Sequence, residues 1–84
     1  MLRFRDRTVL VTGVGREGQV GEALAAAFAA EGARLALVDL AADGVARQAE
    51  RLRAAGHDAH PFACDLTDAR QVDALAEQVR AAVG

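Results

Sequence analysis

The chain has 84 residues, 52% of them hydrophobic and 26% charged, with a formal net charge of -2. That length allows one small domain with a thin core and excludes a multidomain enzyme, and the composition is neither disordered nor fibrous. Ten scattered arginines form no nucleic-acid patch, a lone Cys64 rules out an internal disulfide, and no apolar run reaches the ~20 residues of a membrane span, so a cytoplasmic protein is expected.

Asp6 and Arg7 break up what would have to be the apolar stretch of a secretory leader. Arg3, Arg5 and Arg7 alternate with Leu2, Phe4 and Asp6 and read as a solvated entry to the first strand. Thr8 to Thr12 is a short apolar, β-branched run ending at Gly13, a pattern that fits a strand buried on both faces of a parallel sheet. A glycine-rich loop follows from Gly13 to Gly21. The next segment, Glu22 to Glu31, is rich in alanine, the strongest helix former, with Leu24 and Phe28 four apart on one face and Gly32 placed to stop it. Arg34 to Asp39 predicts the second strand. Gly44 to Ala55 predicts the second helix, with Asp43 as N-cap, Gly56 as stop and Val45, Ala49 and Leu52 as its apolar stripe. Ala59 to Asp65 predicts a third strand, and Pro61, which has no N–H to donate, places that strand at an edge. The third helix is predicted from about Asp68 to Val83, capped by Thr67 or Asp68, with Val72, Leu75, Ala76, Val79 and Val83 at helical spacing.

Strand and helix therefore alternate with short connections, which predicts a parallel sheet with right-handed crossovers. The expected fold class is α/β: a partial Rossmann-type, three-layer β-α-β-α-β-α unit spanning residues 1–84, strand order 3-2-1, with the first strand at an open edge.

The candidate chemistry gathers at the first strand–helix junction. Gly13, Gly15 and Gly18 spell G-x-G-x-x-G after a predicted strand and before a predicted helix, and Gly21 adds a fourth glycine. Loop N–H groups and a helix N-terminus together favour a pyrophosphate. Asp39 lies 18 residues after Gly21 and 21 after Gly18, at the end of the second strand. An acid there accepts hydrogen bonds from ribose hydroxyls and repels a 2′-phosphate, so NAD is expected over NADP. Arg16, in the loop, works against that preference because guanidinium groups suit phosphates.

Thr12-Gly13, the glycine loop, Gly21-Glu22-Ala23-Leu24-Ala25, Glu31-Gly32-Ala33 and Asp39 together resemble the N-terminal part of a short-chain dehydrogenase/reductase. Cys64-Asp65-Leu66-Thr67-Asp68 resembles the aspartate motif that follows the family's third strand. The resemblance implies a dinucleotide held by Gly13, Gly15, Arg16, Gly18, Val20, Gly21, Asp39, Leu40, Asp65 and Leu66, with Asp65 at the adenine edge and Leu66 beside it. One departure is the loop. Counting back from Asp39 makes Gly21 the family's last glycine, and the loop is then two residues longer than the usual T-G-x-x-x-G-x-G. The other is the absence of Asn, Ser, Tyr and Lys, which the family uses for proton transfer during hydride exchange. The chain is accordingly expected to be inactive alone and to be the front part of a longer dehydrogenase.

His57 and His60, flanking Asp58 at the entry to the third strand, are too few for a metal site and read as surface-loop residues. Cys64 reads as a small apolar filler, and Arg47, Glu50, Arg51, Glu77 and Arg80 as solvated helix faces. Two other readings of the same pattern remain. One is an S-adenosylmethionine methyltransferase-like unit. The other is a non-enzymatic nucleotide-binding domain that self-associates through the uncharged edge of the first strand.

Overall fold

The computed structural model describes residues 4–13 and 20–83. The elements in chain order are β1 (Thr8–Thr12), α1 (Val20–Ala30), β2 (Arg34–Asp39), α2 (Ala42–Ala54), β3 (Ala59–Ala63) and α3 (Ala69–Val83). All strands are parallel, β2 lies between β1 and β3, and Thr8 pairs with Arg34 while Leu35 pairs with Ala59. This is the order expected from the sequence. Pro61 sits in β3, an edge of the sheet, where a missing N–H leaves no ladder position open on the solvent side.

Strand β2 is the centre of the core. Leu35, Ala36, Leu37 and Val38 are all 0% exposed. Alternation sends Leu35 and Leu37 to one face, where they pack with Val11, Ala25, Ala29, Val45 and Ala49 beneath α1 and α2. Val38 goes to the other face and packs with Cys64 and Leu75, with Phe62 and Val79 at the margin, beneath α3. Cys64 is thus the apolar filler that its sequence context suggested.

Three sequence expectations are corrected. Strand β1 is not buried on both faces. Val11 is buried, but Thr8, Leu10 and Thr12 are exposed, because α3 lies over β2 and β3 rather than over β1. In α1 the residues that meet the sheet are Ala25 and Ala29, whereas Leu24 is 47% exposed. Small side chains let the helix sit close to the strands. Phe28 is half-buried at the side, and its ring meets Phe4 edge-on at 5.0 Å. Helix α2 begins at Ala42 behind Ala41, which supplies no side-chain cap, so Asp43 lies within the first turn, where its charge complements the helix dipole. Its other end is as expected: Gly56 has φ +91, a conformation that costs L residues roughly 1–2 kcal/mol.

Helix α3 resolves the choice of cap. Asp68 Oδ1 accepts the Arg70 N–H at 2.9 Å and the Asp68 carbonyl accepts the Val72 N–H at 3.0 Å, so Asp68, not Thr67, is the N-cap. Of its stripe, Leu75 and Val83 are buried and Val79 half-buried, while Val72 and Ala76 are exposed. Arg34 ties the far end of α3 to β2, donating to the Val83 carbonyl at 3.2 Å. Arg51 of α2 reaches Glu22 of α1 at 3.0 Å, and Arg80 reaches Glu77 at 3.1 Å; exposed pairs of this kind contribute little.

These packing differences set expected stabilities. Leu37→Ala costs about 2–5 kcal/mol, because it opens a cavity under the central strand. Leu24→Ala changes stability by less than about 0.5 kcal/mol, because that side chain faces water. Urea unfolding followed by far-ultraviolet circular dichroism measures both.

Candidate functional site

The carboxyl ends of the three parallel strands meet at a cleft of about 360 Å³ lined by Thr12, Gly13, Val38, Asp39, Leu40, Cys64, Asp65 and Leu66. This is where open α/β sheets bind ligands. Two backbone bonds carry the ladder to its rim: Gly13 N–H to the Val38 carbonyl and Cys64 N–H to the Asp39 carbonyl, both 3.0 Å. They align the exits of the strands, so that Gly13, Asp39 and Cys64 lie within one residue of the same register level. Gly13 leaves its strand with φ +73, and a Cβ there would meet nothing within 4 Å. The backbone conformation, not space, therefore calls for glycine at this exit.

The cleft brings together five residues singled out from the sequence: Gly13, Asp39, Leu40, Asp65 and Leu66. Val20 opens α1, and Gly21 is buried in its first turn without lining the cleft. Gly15, Arg16 and Gly18 lie outside the described residues. A second hollow of about 410 Å³, lined by residues such as Gly32, Gly56 and His57, gathers none of the residues expected to hold a dinucleotide.

Asp39 is the last residue of β2, on the same face as Leu35 and Leu37, and is half-buried. Its Oδ1 accepts the Ala41 N–H at 2.9 Å, which orients the carboxylate and turns the chain into α2. Asp65 stands opposite, just beyond β3. Its Oδ1 accepts both the N–H of Thr67, at 2.9 Å, and the Thr67 hydroxyl, at 2.6 Å. Its carbonyl accepts the Asp68 N–H at 3.0 Å, which closes the turn. Leu40 and Leu66, 72% and 50% exposed, offer apolar surface beside the two carboxylates. The cleft is thus lined by two carboxylate-bearing residues, two exposed leucines and the bare backbone of Gly13. That arrangement suits a ribose and a flat base, with a phosphate toward the glycine.

Sequence reasoning gave Thr12, Thr67 and Gln71 no place among the site residues. The Asp65-x-Thr67 spacing signals a side-chain turn. Asp68-Ala69-Arg70-Gln71 spells a capping box, but Gln71 reaches past the cap, its Oε1 accepting the Asp65 N–H at 2.8 Å. His57 lies in the loop before β3 as expected, whereas His60 does not. His60 lies within β3, half-buried, with Nε2 2.6 Å from Asp58 Oδ1. Among the described residues no group of three or more His, Cys, Asp or Glu side chains could hold a metal.

The two Thr67 bonds hold the Asp65 carboxyl below its ordinary value of 3.8, the hydroxyl contributing most. A depressed value means that these bonds add stability above the ordinary carboxylate range and that the contribution disappears as pH falls through the lowered value. In Thr67→Val the Asp65 carboxyl titrates closer to 3.8, as followed by carboxyl-carbon NMR between pH 2 and 6.

With this geometry in view, comparison with known proteins is informative. The family model described as short chain dehydrogenase matches residues 7–84. The chain is 40% identical over 82 residues to D-threitol dehydrogenase of Mycolicibacterium smegmatis, covering 98% of this chain and 31% of that protein. It is 38% identical over 76 residues to 1-deoxy-11-beta-hydroxypentalenate dehydrogenase of Streptomyces avermitilis, covering 90% of this chain and 27% of that one. A short chain dehydrogenase/reductase from Burkholderia phymatum, solved in complex with NAD, superposes with a TM-score of 0.87 at 33% identity, over 98% of this chain and 28% of its own. A metagenomic short-chain oxidoreductase in complex with NADP superposes at 0.84 and 30% identity, over 94% of this chain and 35% of its own. The chain spans about a third of the length of these relatives and corresponds to their N-terminal part. Sequence and sheet agree, and the chain belongs to the short-chain dehydrogenase family.

Proposed function

We propose that residues 1–84 form a partial Rossmann unit that holds the adenosine and pyrophosphate part of NAD for an oxidoreductase. The observation that carries this reading is the convergence of Gly13, Asp39 and Asp65, each from the end of a different strand, on one cleft. Asp39 accepts hydrogen bonds from the ribose hydroxyls. Leu40 and Leu66 flank the adenine, and Asp65 meets its edge. The bare backbone at Gly13 lies toward the pyrophosphate, and Gly15, Arg16, Gly18, Val20 and Gly21 complete that loop. When bound, the dinucleotide supplies the hydride acceptor or donor. These residues contain no Asn, Ser, Tyr or Lys, so they bind and orient while the family's proton-transfer groups come from elsewhere. The 84 residues alone turn over no alcohol or carbonyl substrate, and their place is the cytoplasm, where the dinucleotide pool is.

Preference for NAD rests on Asp39, whose charge opposes a 2′-phosphate. An amide-resolved NMR titration with NAD, NADP and S-adenosylmethionine tests the reading. NAD moves the amides of Gly13, Asp39, Leu40, Asp65 and Leu66, and S-adenosylmethionine does not. Asp39→Asn narrows the advantage of NAD over NADP by about tenfold, the worth of one hydrogen bond to a charged group. Equal affinity for NAD and NADP in the unaltered chain would remove the role given to Asp39.

Self-association accompanies this function in the 84-residue chain. What supports it is β1, which is paired on one side only among the described residues and has Leu10 48% exposed. An uncharged strand edge of this kind is a template for pairing. Sedimentation at tens of micromolar is expected to show dimers or larger species, and Leu10→Lys to return the chain to monomer. A monodisperse monomer of the unaltered chain would end this part of the reading.

A further inference from the structure

We propose that Thr67 and Gln71 are positioning residues that fix Asp65 as a reader of the adenine amino group, making the cleft selective for adenine over a 6-oxopurine. The inference rests on the dinucleotide reading above and adds to it residues that touch no ligand themselves.

The acceptor capacity of Asp65 is divided unequally between its two oxygens. A carboxylate has two oxygens and about four acceptor positions. Thr67 engages Oδ1 twice, through its N–H at 2.9 Å and its hydroxyl at 2.6 Å. Oδ2 has no hydrogen-bond partner among the described residues, so the turn engages one oxygen and leaves the other for a donor. The backbone of Asp65 is fixed independently. Its N–H donates to Gln71 Oε1 at 2.8 Å, and Gln71 Nε2 donates in turn to Asp68 Oδ2 at 3.3 Å. Asp68 Oδ1 is committed to the N-terminus of α3. A chain of hydrogen bonds therefore runs from the cap of α3 through Gln71 to the main chain of Asp65, while Thr67 sets the side-chain rotamer. The orientation is shared between two exposed residues whose own packing contributes little to the core.

Selectivity follows from the chemistry of the base. The bonds from Thr67 favour the ionised form of Asp65, and an ionised carboxylate only accepts. Adenine presents an amino donor at its six position, whereas hypoxanthine presents an oxygen there. A carboxylate held in place bonds the first and faces the second acceptor to acceptor. A carboxylate free to rotate escapes that clash and discriminates less. Built-in polar partners that an analogue cannot satisfy are the usual source of strong discrimination.

The test is the affinity of the 84-residue chain for NAD and for nicotinamide hypoxanthine dinucleotide, measured by calorimetry. The unaltered chain is expected to prefer NAD by about tenfold, and Thr67→Val and Gln71→Ala each to reduce that preference by about fivefold, through weaker NAD binding, with the hypoxanthine dinucleotide bound no more weakly than before. Thr67→Ser, which keeps the hydroxyl, retains the preference. Retained binding of the hypoxanthine dinucleotide doubles as the control that the variants are folded. Equal weakening of both dinucleotides, or an unaltered preference in both variants, overturns the positioning role. Equal binding of the two dinucleotides by the unaltered chain overturns the selectivity but leaves the dinucleotide reading standing. Failure to bind either one removes that reading and this inference with it.

Discussion

Strand β2 has no face left for water, and the rest of the molecule is arranged around that condition. Leu35 to Val38 are fully buried, which requires cover on both sides of the sheet and a paired strand along both edges. The backbone requirement is met by β1 and β3 in parallel ladders. Parallel neighbours cannot be joined by tight turns, so each connection is long enough to carry a helix. Right-handed crossovers running in one direction put α1 and α2 on one face, and α3 covers the other. Burying one strand on both faces thus accounts for the layers, the connection lengths and the order of the strands.

The cleft is a by-product of the same arrangement. Buried strands need apolar side chains until they emerge, and the first residue beyond is free to be polar. Val38 gives way to Asp39, and Cys64, one residue past Ala63, the register partner of Asp39, gives way to Asp65. Both residues reach the cleft because their strands are parallel neighbours that end on the same side of the sheet. Each is then oriented locally, Asp39 by the Ala41 N–H and Asp65 by Thr67. The positive φ of Gly13 takes the chain off the end of β1 without a side chain over the cleft. Long-range topology supplies the meeting point, and short-range hydrogen bonds supply the aim.

Cover is uneven across the sheet. Alanines at 25 and 29 let α1 lie close over β1 and β2, and the Phe4–Phe28 contact closes that layer at one side. Helix α3 contacts β2 and β3 but leaves Leu10 and the outer side of β1 exposed. The candidate cleft therefore lies beside the least covered strand.

Much of this was legible in the sequence, because the signals concerned are local. Alternating strand and helix patterns, Pro61 at an edge, Gly56 as a stop, and the spacing from the glycine loop to Asp39 depend on backbone geometry and short-range chemistry that each segment carries with it. The sequence by itself determined the element order, the parallel sheet with β2 between its neighbours, and the residue types at the strand exits. Only the tertiary structure decided which apolar residues meet the sheet. Ala25 and Ala29 pack where Leu24 does not, because the closeness of α1 depends on the strands beneath it. It also decided that Thr8, Leu10 and Thr12 face solvent, because the reach of α3 is set by where it docks and not by the composition of β1. Finally, it decided that Gln71 passes the cap of its own helix to hold Asp65. A capping box and a longer reach share the same four-residue pattern, and the choice between them depends on where the end of β3 delivers a free N–H.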